Sequence, residues 1–326
     1  MKVYYWAKPE KGVFCHYIES KDSLPDISDA SIKEGQAIFF HETSCSSYMK
    51  GKISVTARQA CAVESTARMN PDREIYLLYA SPGNYIFENT ESDRFLKELM
   101  EYPNINIYHV DMNRYLKGSP VEDLWKKEKM RYSQYAQSHT SDVLRFLTLW
   151  KYGGIYLDLD VIITKNLDDL GTDFSGVESA TSVAAGILGF NATGKGHDYV
   201  TSCLQDLQNT FKGHDWGWNG PGTITRLLKK LCGVTKVNDM VGKTCQGFKI
   251  YPPDEFYAIP YWNWKLFFEP EALDSVMELT NSSHLIHVWN KFSITTKIPL
   301  NVKGVPYLEQ AKQYCPHIIR QCDKYF

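Results

Sequence analysis

The chain has 326 residues, with 36 basic and 38 acidic side chains and a formal net charge of −2. That length can bury one large α/β core or two smaller ones, and the balanced charge gives no global electrostatic reason to bind nucleic acid. A neutral partner, or an anion neutralised locally, fits better. The 8 Trp and 21 Tyr supply aromatic faces that serve cores, sugar rings or bases alike.

Residues 1–34 mix aromatic and charged side chains without steady periodicity and read as a stem or lead-in, with 35–326 as a single domain. Gln36 to Phe40 is an apolar run closed by the polar stretch His41 to Cys45. That places a polar turn at the carboxyl end of a first strand, where open α/β sheets bind ligands. Ser54 is expected to cap a helix reaching Met69, where Pro71 stops it. Glu74 to Tyr79 predicts a strand, Ser92 to Met100 a helix and Ile105 to His109 a strand, an alternation that predicts a mostly parallel sheet flanked by helices. Pro120 to Tyr135 reads as a helix with a basic side.

Ser141 to Thr164 is the most informative stretch. Its apolar helix is ended by Gly153-Gly154, and from Ile155 the period changes to two. A strand there puts Tyr156, Asp158 and Asp160 on one face, with alternate residues about 6.5 to 7 Å apart. Two half-buried carboxylates repel unless a cation or donors compensate, and oxygen ligands suit magnesium or manganese. An isolated Asp-x-Asp could equally just end a strand in water. Upstream, Asp142 and Arg145 stand three apart on one helix face; spacing alone reads as a local ion pair, with sugar binding as the alternative.

Ser182 to Phe190 is a strand pattern interrupted by Gly186 and Gly189, which suggests a bulge or a close approach. Asp198 to Phe211 and Thr223 to Leu231 read as helices, separated by the loop Trp216 to Gly222, which could line a sugar-sized site or form a packing corner. The aromatic run Phe256 to Phe268 is core or rim wall. His284 to Lys291 is expected as a last strand with His287 and Trp289 on one face, and Lys303 to Tyr314 as a terminal helix.

Eight cysteines without a Cys-x-x-Cys or Cys/His cluster argue against structural zinc. Two sequons, at Asn191 and Asn281, lean towards the secretory pathway, where disulfides form. The local candidates are Cys45 with Cys61 and Cys232 with Cys245. Apolar runs fall far short of the roughly 18 to 20 residues that span a bilayer, and Lys2, Lys8, Glu10 and Lys11 interrupt any leader. A trimmed luminal portion is expected.

Taken together, Ser141-Asp142-x-x-Arg145, Tyr152 to Asp160, Asn219-Gly220-Pro221-Gly222 and His287-Val288-Trp289-Asn290-Lys291 make the chain resemble the α-1,4-glycosyltransferase family of Asp-x-Asp sugar transferases. The resemblance runs from about Phe39 to Cys315 and implies a GT-A type, Rossmann-like mixed sheet. It implies transfer from UDP-galactose or UDP-N-acetylgalactosamine, with manganese or magnesium, to a glycolipid or glycan acceptor with retention of configuration. The alternatives are N-acetylglucosaminyl transfer to protein-linked glycans and a non-catalytic glycan-binding protein. By position, Asp160, Asp158 and His287 become metal ligands. Phe40, His41, Glu42, Asp142, Arg145, Tyr156, Asp158, Trp289 and Asn290 become donor-binding residues, and Asp142, Arg145, Asp158, Asp160 and Asn219 the catalytic set. The family layout further implies the Golgi lumen and membrane association through an anchor that this sequence lacks.

Overall fold

The computed structural model describes residues 12–326. Its strands are β1 (Ile38–Glu42), β2 (Ile75–Tyr79), β3 (Ile105–His109), β4 (Gly154–Leu157), β5 (Val161–Ile163), β6 (Phe174–Ser179), β7 (Ser182–Phe190), β8 (Thr244–Cys245), β9 (Phe248–Tyr251) and β10 (Leu285–His287). Eight of them form one mixed sheet in the order β3-β2-β1-β4-β7-β6-β9-β8, and β5 pairs with β10 separately. The first four positions are parallel, and β7 enters antiparallel beside β4. This is the helix-flanked, mostly parallel sheet expected from the alternation of strands and helices, and it has the GT-A type that the resemblance implied.

Alternation along β1 sorts its side chains between two cores. Ile38 and Phe40 pack with the helices Ala57–Met69 and Glu91–Met100 on one face, whereas Phe39 packs with the helices Ala136–Tyr152 and Gly194–Thr210 on the other. Phe40 is thus fully buried and is a core residue rather than a ligand contact. Its neighbours His41 and Glu42, expected in a turn, are the last two residues of the strand.

Several boundaries differ from expectation for local reasons. The Ala57–Met69 helix is capped by Thr56, which exchanges hydrogen bonds with Gln59 in a capping box, and Ser54 lies outside it. Between Pro120 and Tyr135 only Glu122–Lys126 is α-helical, because Glu128 takes φ of 49° and turns the chain. The helix before the double glycine starts at Ala136, so Ser141 lies within it rather than at its cap. Gly153 and Gly154 have φ of 63° and 90°, and a Cβ on Gly154 would lie 2.3 Å from Ala37 O. Only glycine lets the helix end so close to β1.

Residues 1–11 of the expected lead-in lie outside the described residues; 12–34 pack onto the domain. Leu24 and Ile27 are buried, His109 N donates to Pro25 O, and Cys15 is disulfide-bonded to Cys45. Cys61 pairs with Cys315, so the expected Cys45–Cys61 bridge is replaced by two long-range ones, while Cys232–Cys245 forms as expected. Spacing along the chain cannot reveal partners that only folding brings together. Among the described residues no helix is long and apolar enough to cross a membrane.

Candidate active site

At the carboxyl ends of β1 and β4 the sheet opens into a cavity of about 670 Å³. The decisive local event is at Leu157. Asp158 N still donates to Gly186 O, but the chain then turns through Leu159 and Asp160 and joins β10 as β5, leaving the main sheet. Asp158 and Asp160 therefore share a turn between two sheets, not a single strand face. The turn brings them to His287 at the end of β10.

His287 Nε2 lies 3.6 Å from Asp158 Oδ2 and 3.3 Å from Asp160 Oδ1. One donor atom from each residue fits within a 4.8 Å cluster. Gly186 permits this, since a Cβ there would come within 3.0 Å of Asp158 Oδ2 and 3.1 Å of His287 Nε2. The close approach read from the strand glycines is therefore real. Strand pairing stops at His287, and Trp289 takes φ of 54° as the chain turns into Asn290–Ser293. The expected strand to Lys291 is cut short, and the Trp289 ring is still 4.4 Å from that of His287.

The two acids are held differently. Asp158 accepts from Tyr156 Oη at 2.7 Å and pairs with Arg145 at 3.1 Å. Burial would raise its carboxyl, but Arg145, His287 and Tyr156 outweigh it and hold it well below the ordinary range. Asp160 accepts the Asn290 backbone N–H at 2.6 Å, yet burial and the Asp158 charge leave its carboxyl raised against the pull of His287. A divalent cation would relieve that conflict, and two carboxylates with one imidazole can coordinate one. The residues present fit such an ion.

Arg145 is more than the local ion pair that spacing suggests. Nη1 donates to Ala185 O at 2.6 Å, Nη2 to Ser141 Oγ at 3.0 Å and Nε to Ser141 O at 3.3 Å, while the guanidinium lies over Tyr156. It is a brace between helix, hairpin and Asp158. Asp142 sits 3.4 Å from Arg145 with no hydrogen-bond donor closer, and burial pushes its carboxyl up to about 7. A Cβ on Gly220 would lie 2.1 Å from Asp142 Oδ1, so the Gly-Pro-Gly turn is shaped around that carboxyl.

Among the described residues, three buried polar atoms on the cavity lining have no partner: His41 Nδ1, Glu42 Oε2 and Asn290 Oδ1. Such atoms are costly to bury unless a ligand or water answers them. Burial lowers His41 to about 3, with Arg145 adding to the effect, and raises Glu42 to about 7.

The structure gathers His41, Glu42, Asp142, Arg145, Tyr156, Asp158, Asp160, His287, Trp289 and Asn290 around one cavity. Two expected residues stand apart. Phe40 is in the core, and Asn219 is fully buried with its amide bonded to Lys212 N and O at 3.0 and 2.9 Å, a loop brace set back from the cavity lining. Gln137, Ser138 and Glu178 also line the cavity. No local pattern marks them, because a helix or strand period does not say which end of the element meets a ligand.

Two family models match: an α-1,4-glycosyltransferase conserved region over residues 192–322 and a glycosyltransferase sugar-binding region containing a DXD motif over 56–175. Lactosylceramide 4-alpha-galactosyltransferase of Mus musculus is 31% identical over 305 residues, covering 93% of this chain and 80% of its own. The chain belongs to the α-1,4-glycosyltransferase family. This UDP-sugar-dependent glycosyltransferase is also similar to Alpha-1,4-N-acetylglucosaminyltransferase of Homo sapiens, 22% identical over 91% of this chain and 83% of that one. Among solved structures, the WbbM bifunctional glycosyltransferase aligns with TM-score 0.47 and 10% identity, covering 88% of this chain and 50% of that one.

Proposed function

We propose that this transferase moves galactose or N-acetylgalactosamine from its UDP-sugar to a terminal sugar of a glycan, a glycosphingolipid above all, in α-1,4 linkage with retention, in the Golgi lumen. The reading of residues 1–34 as a stem to a membrane anchor belongs to the same proposal. The observation that carries it is the convergence of Asp158, Asp160 and His287 at the carboxyl ends of the parallel strands. The sugar and linkage are supported by similarity to the 4-alpha-galactosyltransferases at 30 to 31% identity, against 22% for the N-acetylglucosaminyl relative.

Asp158, Asp160 and His287 would hold manganese, or magnesium in its place. Bound there, the ion supplies Lewis acidity that stabilises the departing diphosphate. His41, Glu42 and Asn290 offer their unanswered polar atoms to the nucleotide and ribose. Arg145 keeps Asp158 ionised and in place, and Asp142 is free to accept from a donor-sugar hydroxyl. Fixing both reactants can itself remove several kcal/mol of barrier. In the step, the bond from the anomeric carbon to the phosphate oxygen breaks. The acceptor oxygen bonds to that carbon from the same face, and its proton passes to the leaving phosphate.

The test is a donor screen with UDP-galactose, UDP-N-acetylgalactosamine, UDP-N-acetylglucosamine and UDP-glucose. UDP release is scored with and without lactosyl acceptors, in manganese, magnesium and EDTA, and the product anomer is read by NMR. UDP-galactose turnover to an α-linked product is expected. Preference for UDP-N-acetylglucosamine, or trapping of a covalent sugar adduct, would overturn the sugar or the mechanism respectively.

A further inference from the structure

Single exposed apolar residues are ordinary on a protein surface, but several large aromatics gathered at a cavity mouth are informative. Here Trp216, Tyr261 and Phe292 line the cavity and are 38%, 40% and 42% exposed, with Trp262 beside them at 59%. They come from three separate segments, so local sequence does not explain their meeting. The Tyr261 and Phe292 rings are stacked with centroids 5.9 Å apart and planes within 15° of parallel, and Trp262 meets Tyr261 edge-on at 4.9 Å. Lys291 Nζ stands 3.2 Å above the Trp216 ring and holds that indole at the mouth.

These rings are continuous with the site. Tyr261 contacts Trp289 at 6.0 Å, and Trp289 contacts His287 at 4.4 Å. Exposure rises along that path, from 7% at His287 and 8% at Trp289 to 40% at Tyr261. The unanswered polar atoms of His41 and Glu42 lie on a different segment, at the end of β1, while Asn290 Oδ1 lies next in the chain to Lys291 and Phe292. A uracil base stacked here would tie these rings to donor KM, whereas a diphosphate has no use for aromatic faces. A hexopyranose does: one face of the ring is a patch of C–H bonds that packs on an aromatic plane, and its hydroxyls need polar neighbours such as Lys291, Gln137 and Ser138, which line the same cavity.

The geometry points to an acceptor subsite at this mouth, in which Tyr261 and Phe292 stack a hexopyranose ring of the acceptor glycan and Trp216, steadied by Lys291, forms its second wall. The inference rests on the transferase reading above and extends it to residues that bind the acceptor and not the donor.

The experiment measures acceptor and donor KM for Tyr261→Ala and Phe292→Ala, with free lactose and with lactosylceramide in phosphatidylcholine vesicles. Acceptor KM is expected to rise about tenfold or more with both acceptors, while donor KM moves less than about twofold. Tyr261→Phe and Phe292→Tyr keep the ring faces and are expected to restore acceptor KM, which a folding defect in the alanine variants would not obscure. An unchanged acceptor KM overturns the inference. So does an effect confined to vesicle-borne acceptor, which would make the rim a bilayer contact. A wild-type enzyme without any transfer from the four UDP-sugars would instead overturn the transferase reading itself.

Discussion

The floor and the mouth of the cavity are built on opposite principles. On the floor, Asp158 is fixed by Arg145, Tyr156 and His287, Asp160 by the Asn290 backbone, and Arg145 by Ser141 and Ala185. Nearly every polar group there restrains another. At the mouth, half-exposed aromatic rings touch chiefly one another and Lys291, and the segment carrying Lys291 and Phe292 is held from behind by Arg58, which donates to Ser293 O at 3.0 Å and to Thr296 O. The contrast separates what must be invariant for the chemistry from what can adapt to a substrate.

Breaking the floor should have the largest effect. Asp160→Asn is expected to lower manganese-dependent UDP release at least about a thousandfold, about 4 kcal/mol of barrier, in a coupled UDP assay. Unchanged turnover would remove Asp160 from the metal set.

Glu42 sharpens the comparison, because it is a member of the floor with an unpartnered oxygen. Its folded carboxyl is raised to about 7 by burial, so the native state holds a proton that the unfolded chain releases near 4.5. Stability therefore falls as pH rises between those values and stays low above them. Glu42→Gln is expected to stabilise the ligand-free protein by up to about 3 kcal/mol at pH 8 and by almost nothing at pH 4, read by urea unfolding. Equal gains at both pH values would contradict the assignment.

Gly220→Ala tests the wall between the two regions. The added methyl would collide with Asp142, and a drop of roughly 10- to 100-fold in kcat/KM is expected. Arg58→Ala, the mildest change, should lower stability by about 1 to 3 kcal/mol through two lost backbone contacts, and raise acceptor KM more than donor KM. An equal rise in both would mean that Arg58 serves the floor as much as the mouth.

Much of the fold was legible because its elements announce themselves locally. The helix Glu91–Met100 and strands β1 to β3 follow from periodicity, and Gly153-Gly154 marks the sharp entry to β4. The site was legible in composition but not in geometry. An alternating pattern cannot show that β4 and β5 belong to different sheets, so the expected strand face of Asp158 and Asp160 gives way to a shared turn that still brings the two acids together. His287 is ordinary in its own segment and became a candidate only through resemblance to other sugar transferases. Asn219 lies in a telling motif, yet its amide is spent on Lys212, a pairing that exists only once the loop closes.

The Cys61–Cys315 bridge joins positions 254 residues apart, and Asp142, Asp158, Asp160, Gly220 and His287 all fall between them. These acids, the glycine and the histidine are therefore enclosed in one covalent ring, with His41 and Glu42 outside it. Continuity of the backbone and integrity of the site become separable: a single cut at the exposed His214 and Asp215 would part the acids from the histidine along the chain, but not in the molecule. Reduction of one sulfur–sulfur bond would then decide whether the two halves stay together by packing alone.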